Sequence, residues 1–545
     1  MSDISPIVTV TLDIDATGPV TADSFGVLGI LTHDAPWSDR VRYYGSAAEA
    51  LADGFTTDHP VYRALARCFA QNPKPSAIAV LRATVAVRQM YEIGVAQVQD
   101  GVDYDVTVAG QGFVDADLSY TAGVSETNDN IVAALVTRLN GVAARTYTAE
   151  AIGTALSKRI QVTTDEPLVY ADKTFTAAGT DIVTITGHGL NTGDGPFRTT
   201  NSGGALPAGL AVATDYWWIK LTADTGKFAA TRGDALTGTA VDITDAGTGT
   251  HTLSDTASTR ALVSNSWLSI EVKSRRLLTN AMTHAAPVGL GADLDAIVEV
   301  DNGWFGLGVL FGSAAYALAV ATWLDANSRI SLLDSCDSET ETEPVATGTD
   351  AAAQLHAVSP RGVNVCYHAS PANFLGLASM ARWFTRDPGL SVPFLKTLSG
   401  VSALSLNTNA RARIAERAAS SYTTIGGANV FVGGAVPDPD YRWIDVVRNA
   451  YFMTSGVQGA VFATMRAAEI IPFDQAGIQR ITGATEGWLT ADGANVLDTD
   501  TVVVTAPKLA DVDPDDKAAR VLREAFTGTL RGAAYSVNVA GNIRF

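Results

Sequence analysis

Residues 297–334 read IVEVDNGWFGLGVLFGSAAYALAVATWLDANSRISLLD. Trp304 to Phe311 is an apolar, strand-like run in which Gly306 and Gly308 leave little side chain. Gly312-Ser313 breaks that run and offers a helix N-cap. Ala314 to Asn327 then reads as a helix with Ala317, Val320, Ala321 and Leu324 at core spacing. After Asn327-Ser328, a second short apolar run spans Ile330 to Leu333. Strand, helix and strand with tight joints predict a βαβ unit whose parallel strands are covered on both faces. It carries no residue suited to catalysis.

Around this unit the chain is long, at 545 residues, which predicts two to four domains. A hydrophobic content of 47% with 17% charged residues supplies packed cores. The net charge of −19 and the lack of any basic run of five or more argue against nucleic acid as a partner, because phosphate binding needs clustered Lys and Arg. The opening MSDISPIVTVTLDID has neither the charged region nor the apolar core of a signal peptide. Membrane insertion is not expected, since no apolar run reaches the ~18–20 residues of a span. Cys68, Cys336 and Cys366 are far apart in apolar contexts and read as buried free thiols of a reducing compartment.

Toward the N-terminus, Val8, Val10, Leu12 and Ile14 alternate with Thr9, Thr11, Asp13 and Asp15, the pattern of a half-buried strand. Gly18-Pro19 punctuates it and lets it stand off the body as an arm. Residues 25–81 then read β-β-α-α-β, with Ser46 capping a short helix and Thr57 or Asp58 capping the next. From about Ile93 the texture is that of a small α+β module, with a helix from Asn130 to Leu139. Between Val169 and Thr256, short strands such as Ile182 to Ile185, Tyr216 to Ile219 and Val241 to Ile243 recur between turn clusters, which predicts a small β-sandwich or barrel. The alternation resumes at WLSIEV (267–272), so this β-module reads as nested inside the 93–275 region, itself an insertion in the main domain. Downstream, helices are expected at Asp350 to Ala357, Pro371 to Phe384 and after Asn407, then a hairpin about Gly426-Gly427. Two long helices follow, Tyr441 to Glu469 with a weak point at Ser455-Gly456, and Asp474 to about Leu489. At the end, Tyr535, Val537 and Val539 alternate with Ser536 and Asn538, and Ile543 and Phe545 resume the beat after Gly541. Gly528 and Gly532 precede this strand as hinges.

The search for chemistry is negative: there is no catalytic, cofactor-binding or metal-binding motif. The seven histidines (33, 59, 188, 251, 284, 356 and 368) include no HExxH, and no Cys/His cluster spells zinc. Neither GxxxxGK[ST], a strand-led GxGxxG nor a GxSxG elbow occurs. Asp511, Asp513 and Asp515 faintly resemble a calcium loop, but Asp516 and Leu522 replace its Gly and Glu, leaving a solvated acidic linker. Glu339, Glu341 and Glu343 could serve a glycosidase as paired acids; an exposed polar loop is the plainer reading. His188 and His251 read as loop residues of the β-module. Trp217-Trp218 could stack on a sugar, yet one of two adjacent strand residues must point inward.

Strands at the chain ends are unpaired edges, and edges invite partners. They either pair within one subunit or add to the sheet of a neighbour. At this point VRYYGSAAEALADGFTTDHPVYRALARCFAQNPKPSAIAVLR (41–82), DNGWFGLGVLFGSAAYALAVATWLDAN (301–327) and the terminal LRGAAYSVNVAGNIRF resemble the sheath proteins of contractile phage tails. FAQNPKPS and DNGWFGL are the most specific parts, and the likeness spreads over most of the chain outside 169–256. The resemblance implies a non-enzymatic structural subunit without cofactor. It would stack as hexameric rings around a tail tube and contract by rigid-body rearrangement. Interlaced arms, Ile7 to Ile14 and Ala534 to Phe545, would link the subunits. It further implies self-association, with the tube protein, the baseplate and the tail terminator as partners, in a virion tail assembled in the bacterial cytoplasm. A headless contractile particle (bacteriocin or secretion device) is the alternative, and a surface adhesin built on the β-module a more distant one. The expected architecture is multidomain α+β: an N-terminal arm (1–18), a main α/β domain (19–92 plus 276–400), an inserted α+β domain (93–168 plus 257–275), a nested outer β-domain (169–256), a tube-facing α+β domain (401–525) and a C-terminal arm (526–545). The 169–256 module resembles small β-domains of phage tail and fibre proteins and would decorate the outer surface.

Overall fold

The computed structural model describes residues 25–534 apart from 86, 88, 111, 144, 155–156, 165–171, 191, 256–266 and 311. The fold is multidomain α+β. Strand Gly306–Val309, helix Ala314–Ala326 and strand Ser331–Ser335 form the expected βαβ unit. Ser313 caps the helix by accepting from the Tyr316 amide at 3.2 Å, and Ala317, Val320, Ala321 and Leu324 are all buried.

This unit joins two four-stranded sheets into one layer. The parallel bridge between Gly306 and Ile330, with the Leu307 amide donating to the Ile330 carbonyl at 2.9 Å, makes the connection. The order across the layer is Val41–Tyr44, Ile78–Arg82, Leu28–Thr32, Gly306–Val309, Ser331–Ser335, Val363–Tyr367, Ser420–Ile425, Ala428–Val432. Only the outermost pairings are antiparallel. The sheet therefore runs past residue 400, and a boundary drawn at 400/401 would cut through it. Leu28–Thr32, Gly306–Val309 and Val363–Tyr367 are buried at every residue, as parallel strands covered on both faces must be. Gly306 and Gly308 allow the closest approach, because a Cβ at either would lie 2.3 Å from Phe384 Cε2 or 2.0 Å from Leu377 Cδ2.

Several local expectations shift. His59, not Thr57 or Asp58, caps helix Pro60–Phe69, its Nδ1 accepting from the Val61 amide. The helix expected from Pro371 is divided at Phe374, whose φ is 47°, into a short turn and Leu375–Trp383. Ser455-Gly456 is no weak point, since helix Ile444–Ala467 passes through it unbroken. A Cβ on Gly456 would lie 1.8 Å from Trp488 Cζ2, so this glycine is where helix Gln475–Thr490 docks.

The insertion has its own core, built from two sheets and helix Asn128–Asn140. Strand Leu268–Val272 pairs antiparallel with Asp103–Gly110, so the chain returns to this domain after the β-module. The β-module is a closed barrel. Its six strands run from Phe197–Ser202 to Trp217–Lys220, and Phe197 and Tyr216 exchange both backbone hydrogen bonds, at 2.7 and 2.8 Å, to close the ring. Its core of Phe175, Val183, Phe197, Trp218, Phe228 and Leu253 is separate from the others. Lys173 and Leu253, near its two ends, are paired across adjacent strands, so a short linker can span the gap. Replacing residues 173–255 with a glycine-serine linker should therefore leave a soluble protein with the denaturant midpoint of the body unchanged. An insoluble product would contradict the independence of the barrel.

Candidate assembly surface

Helices Ile444–Ala467 and Gln475–Thr490 and the hairpin Leu497–Thr505/Ala525–Leu530 share a core of Met453, Val457, Val461, Ile481, Leu489, Val496 and Leu497. One face of the hairpin packs on the helices through Val502, Val504, Phe526 and Leu530. Its two strands pair only with each other among the described residues, so each keeps an open outer edge. A lone two-stranded hairpin is marginally stable, and open edges template further pairing.

Val8, Val10, Leu12, Ile14, Gly18 and Pro19 lie outside the described residues, as do Tyr535, Val537, Val539, Ile543 and Phe545. Gly528, expected to be a hinge, is instead a strand residue. Its neighbours Thr527 and Thr529 pair with Val503 and Asp498, and it faces the bulge between them. A Cβ on Gly532 would meet no described atom within 4 Å. This glycine directly follows Arg531, whose amide donates to the Val496 carbonyl at 2.7 Å.

The roots of both terminal segments are held at the start of helix Ile444–Ala467. At the N-terminal root, the Phe25 ring meets Phe305 at 4.4 Å and Phe452 at 5.4 Å. Arg448 Nη2 donates to the Phe25 carbonyl at 2.8 Å and to the Arg386 carbonyl at 2.9 Å, while its guanidinium lies over Trp383 and Phe384. Burial brings this guanidinium down to about 9. At the C-terminal root, Arg531, Gly532 and Ala533 border a crevice of about 350 Å³ with Gly389 to Val392, Lys396, Asp445, Asn449 and Asn495. Sequence reading missed Arg448 altogether; an arginine among Val446, Val447, Ala450 and Tyr451 was its one signal.

The residues weighed for chemistry are held by structural partners. Glu341 forms a bidentate pair with Arg275, one arm of it at 3.0 Å, and Glu339 accepts from the Thr349 amide and hydroxyl. These two acids sit on the short helix Glu339–Thr342, not in a loop, and Glu343 follows it as an exposed residue. Asp513 caps helix Pro514–Ala519, and Asp516 pairs with Arg523. His188 and His251 are core residues of the barrel. His188 packs edge-on to Trp218 and its Nε2 lies 3.0 Å from the Thr222 carbonyl, while His251 Nδ1 accepts from Asn201. Trp218 is buried, whereas Trp217 is half-buried against Ile219 and Ala235. Cys68, Cys336 and Cys366 are buried free thiols, raised by desolvation. Among the described residues no group of His, Cys, Asp and Glu is placed to hold a metal ion, and no helix is long and apolar enough to cross a membrane.

Buried titratable groups set a pH dependence. Desolvation pushes Asp334 up to about 7, against the Gly376 amide it accepts from at 2.7 Å, and Asp337 up to about 8. It pulls His33 and His284 down to about 4. A carboxyl raised in the fold stabilises below its unfolded value and loses that contribution as pH rises through the folded one. A histidine lowered in the fold stabilises above 6.5 and loses that contribution as pH falls toward 4. Between pH 4 and 6.5 the two pairs oppose each other. Above 6.5 each aspartate lowers stability by about 1.4 kcal/mol per pH unit until it ionises, and the tail of the two histidine titrations returns part of this. Stability should thus fall by about 2 kcal/mol from pH 6.5 to 8.5. Asp337→Asn, which retains the acceptor for the Glu339 amide, should remove most of that fall in urea titrations. An unchanged slope would rule out Asp337 as its source.

No protein-family model matches this chain, and no curated protein does. Solved structures do. The helical sheath of the anti-feeding prophage in its contracted state is similar at 16% identity and a TM-score of 0.36, over 47% of this chain and 75% of that one. The contracted sheath complex of PVC, an extracellular contractile injection system, is similar at 14% and 0.37, over 46% and 74%. A sheath tail protein of Desulfitobacterium hafniense is similar at 7% and 0.39, over 96% and 100%.

Proposed function

We propose that this chain is the sheath subunit of a contractile tail, built to polymerise as stacked rings around a tail tube through exchange of terminal strands. The observation that carries the reading is the hairpin Leu497–Thr505/Ala525–Leu530. It keeps open edges on a helical platform, and a strand-patterned tail begins a few residues beyond it. A strand supplied by a neighbour would complete this small sheet, with main-chain hydrogen bonds providing affinity and the alternating Tyr535, Val537 and Val539 providing register. The segments FAQNPKPS and DNGWFGL, which resemble sheath proteins in sequence, supply the second support. In the structure DNGWFGL enters the central strand, with Trp304, Phe305 and Leu307 buried. The helices Ile444–Ala467 and Gln475–Thr490 would face the tube, and the barrel would point outward. The function is mechanical, and the subunit itself performs no chemistry. Contraction would draw on the metastability of the assembled array. A phage tail, with baseplate and terminator proteins as further partners, is the preferred setting.

Negative-stain electron microscopy of the purified chain over a range of concentrations tests the proposal. Hollow tubes or stacked rings are expected. Compact monomers at every concentration would overturn it. Recovery of native particles with or without a DNA-filled head would separate a phage from a headless device.

A further inference from the structure

Arg448 is an expensive residue for its position. It is 1% exposed, and its Nε and Nη1 have no hydrogen-bond partner among the described residues. Asp387 offsets its charge only from a distance, and a buried charge without a close counter-ion is costly. The return on that cost is positional. One nitrogen, Nη2, holds two carbonyls from distant parts of the chain, Phe25 at the N-terminal root and Arg386 at the end of the Trp383–Phe384 segment.

From Arg386 a contiguous path leads to the other root. Trp383 Nε1 donates to the Ser391 carbonyl at 2.7 Å and fixes the loop that follows. Within that loop Gly389 has φ +81° and approaches Asn495 so closely that a Cβ would lie 2.2 Å from its carbonyl oxygen. The next residue, Val496, accepts the amide of Arg531 at 2.7 Å. The crevice lined by Gly389 to Val392, Asp445, Asn449 and Arg531 to Ala533 marks the same convergence.

We infer that Arg448 and the loop 386–396 form one clamp on the roots of both terminal segments, so that the exit geometry of one is coupled to that of the other. Arg448 acts as a positioning residue, and Gly389 is the link on the C-terminal side. Coupled roots would let a subunit present its two ends in a fixed relative orientation. Strand exchange needs this, because a rigid, pre-ordered end loses less freedom on binding than an independent one. That consequence rests on the sheath reading; the coupling itself does not.

The test is amide hydrogen exchange on the soluble full-length subunit, below any assembling concentration, for the wild type, Arg448→Met and Gly389→Ala. Arg448→Met should stay folded and melt close to the wild type, yet exchange at least tenfold faster in both 25–27 and 525–534. Gly389→Ala should speed exchange in 525–534 and, through the shared clamp, to a smaller degree in 25–27 as well. If Arg448→Met unfolds or loosens the whole main domain, or if 525–534 keeps its wild-type exchange in Gly389→Ala, the clamp is refuted. Because no polymer is involved, failure here is distinct from failure of the subunit to form tubes. If the wild type does form tubes, Arg448→Met should do so poorly despite its near-wild-type stability, and normal assembly would refute the clamp's role in presenting the ends.

Discussion

Asp350→Ala is expected to destabilise the main domain by about 4 kcal/mol in urea denaturation. Asp350 and Arg417 form an ion pair at 2.9 Å in which both side chains are 0% exposed. The other carboxylate oxygen accepts from Thr340 Oγ1 and from the amides of Ala352 and Ala353, capping helix Ala351–Val358. Arg417 also donates to the carbonyls of Glu343, Arg413 and Glu339. One carboxylate thus fastens the short helix Glu339–Thr342, the helix it caps and the end of helix Thr408–Glu416. Removing it leaves a buried guanidinium without its counter-charge, a loss of about 3–5 kcal/mol, to which a lost cap adds about 1 kcal/mol before relaxation. The double variant Asp350→Leu with Arg417→Met should recover most of the loss, because a buried pair replaced by apolar side chains is often neutral. If the single and double variants are equally unstable, the pair is not the source. Glu341 sits on the same short helix and pairs with Arg275 of the insertion, so loosening Asp350 should also loosen the insertion against the body.

That network shows where sequence reading stops. The βαβ unit, the caps at Ser313 and Asn407, the glycine turn at 426–427 and the nesting of the β-module all rest on contacts within a few residues or on a repeating period, and the chain displays both openly. The partners of Glu341, Arg417 and Arg448 lie 66, 67 and 423 residues away. No local pattern encodes such distances. The pairing of Gly306 with Ile330 belongs to the expected βαβ unit, but the joining of two four-stranded sheets through it is not legible, since the strands on either side lie far along the chain. Gly528 misleads because a glycine beside a terminal strand suggests a hinge, whereas here it sits inside strand Ala525–Leu530 opposite an irregularity in its partner. Turn-rich flanks make His188 and His251 look like loop residues, whereas their rings fill the barrel wall beside Trp218 and Phe175. Of the assembly surface, the alternating ends were legible and the clamp that orients them was not.

Deleting residues 534–545 should leave a folded, soluble subunit that forms no long tubes at concentrations where the intact chain does. The deleted stretch lies past the last described strand, Ala525–Leu530, so folding should survive. Its alternation of Tyr535, Val537 and Val539 with Ser536 and Asn538 suits one added strand. Five paired residues make a handful of hydrogen bonds of about 1 kcal/mol each, or about 4 kcal/mol per contact. Loss of that contact raises the concentration needed for assembly about a thousandfold. A single such contact is weak; in an array each subunit is held by both of its ends, and the effective concentration of the second contact makes the lattice hard to break. Deleting 1–18 should act in the same direction, and deleting both ends should abolish association altogether, because neither contact then remains to raise the effective concentration of the other. Sedimentation velocity across two decades of concentration reads the shift. Tubes of normal length from the C-terminal truncation at wild-type concentration would sink the strand-exchange mechanism, and would leave side-chain contacts between the helical platforms as the force that holds the array.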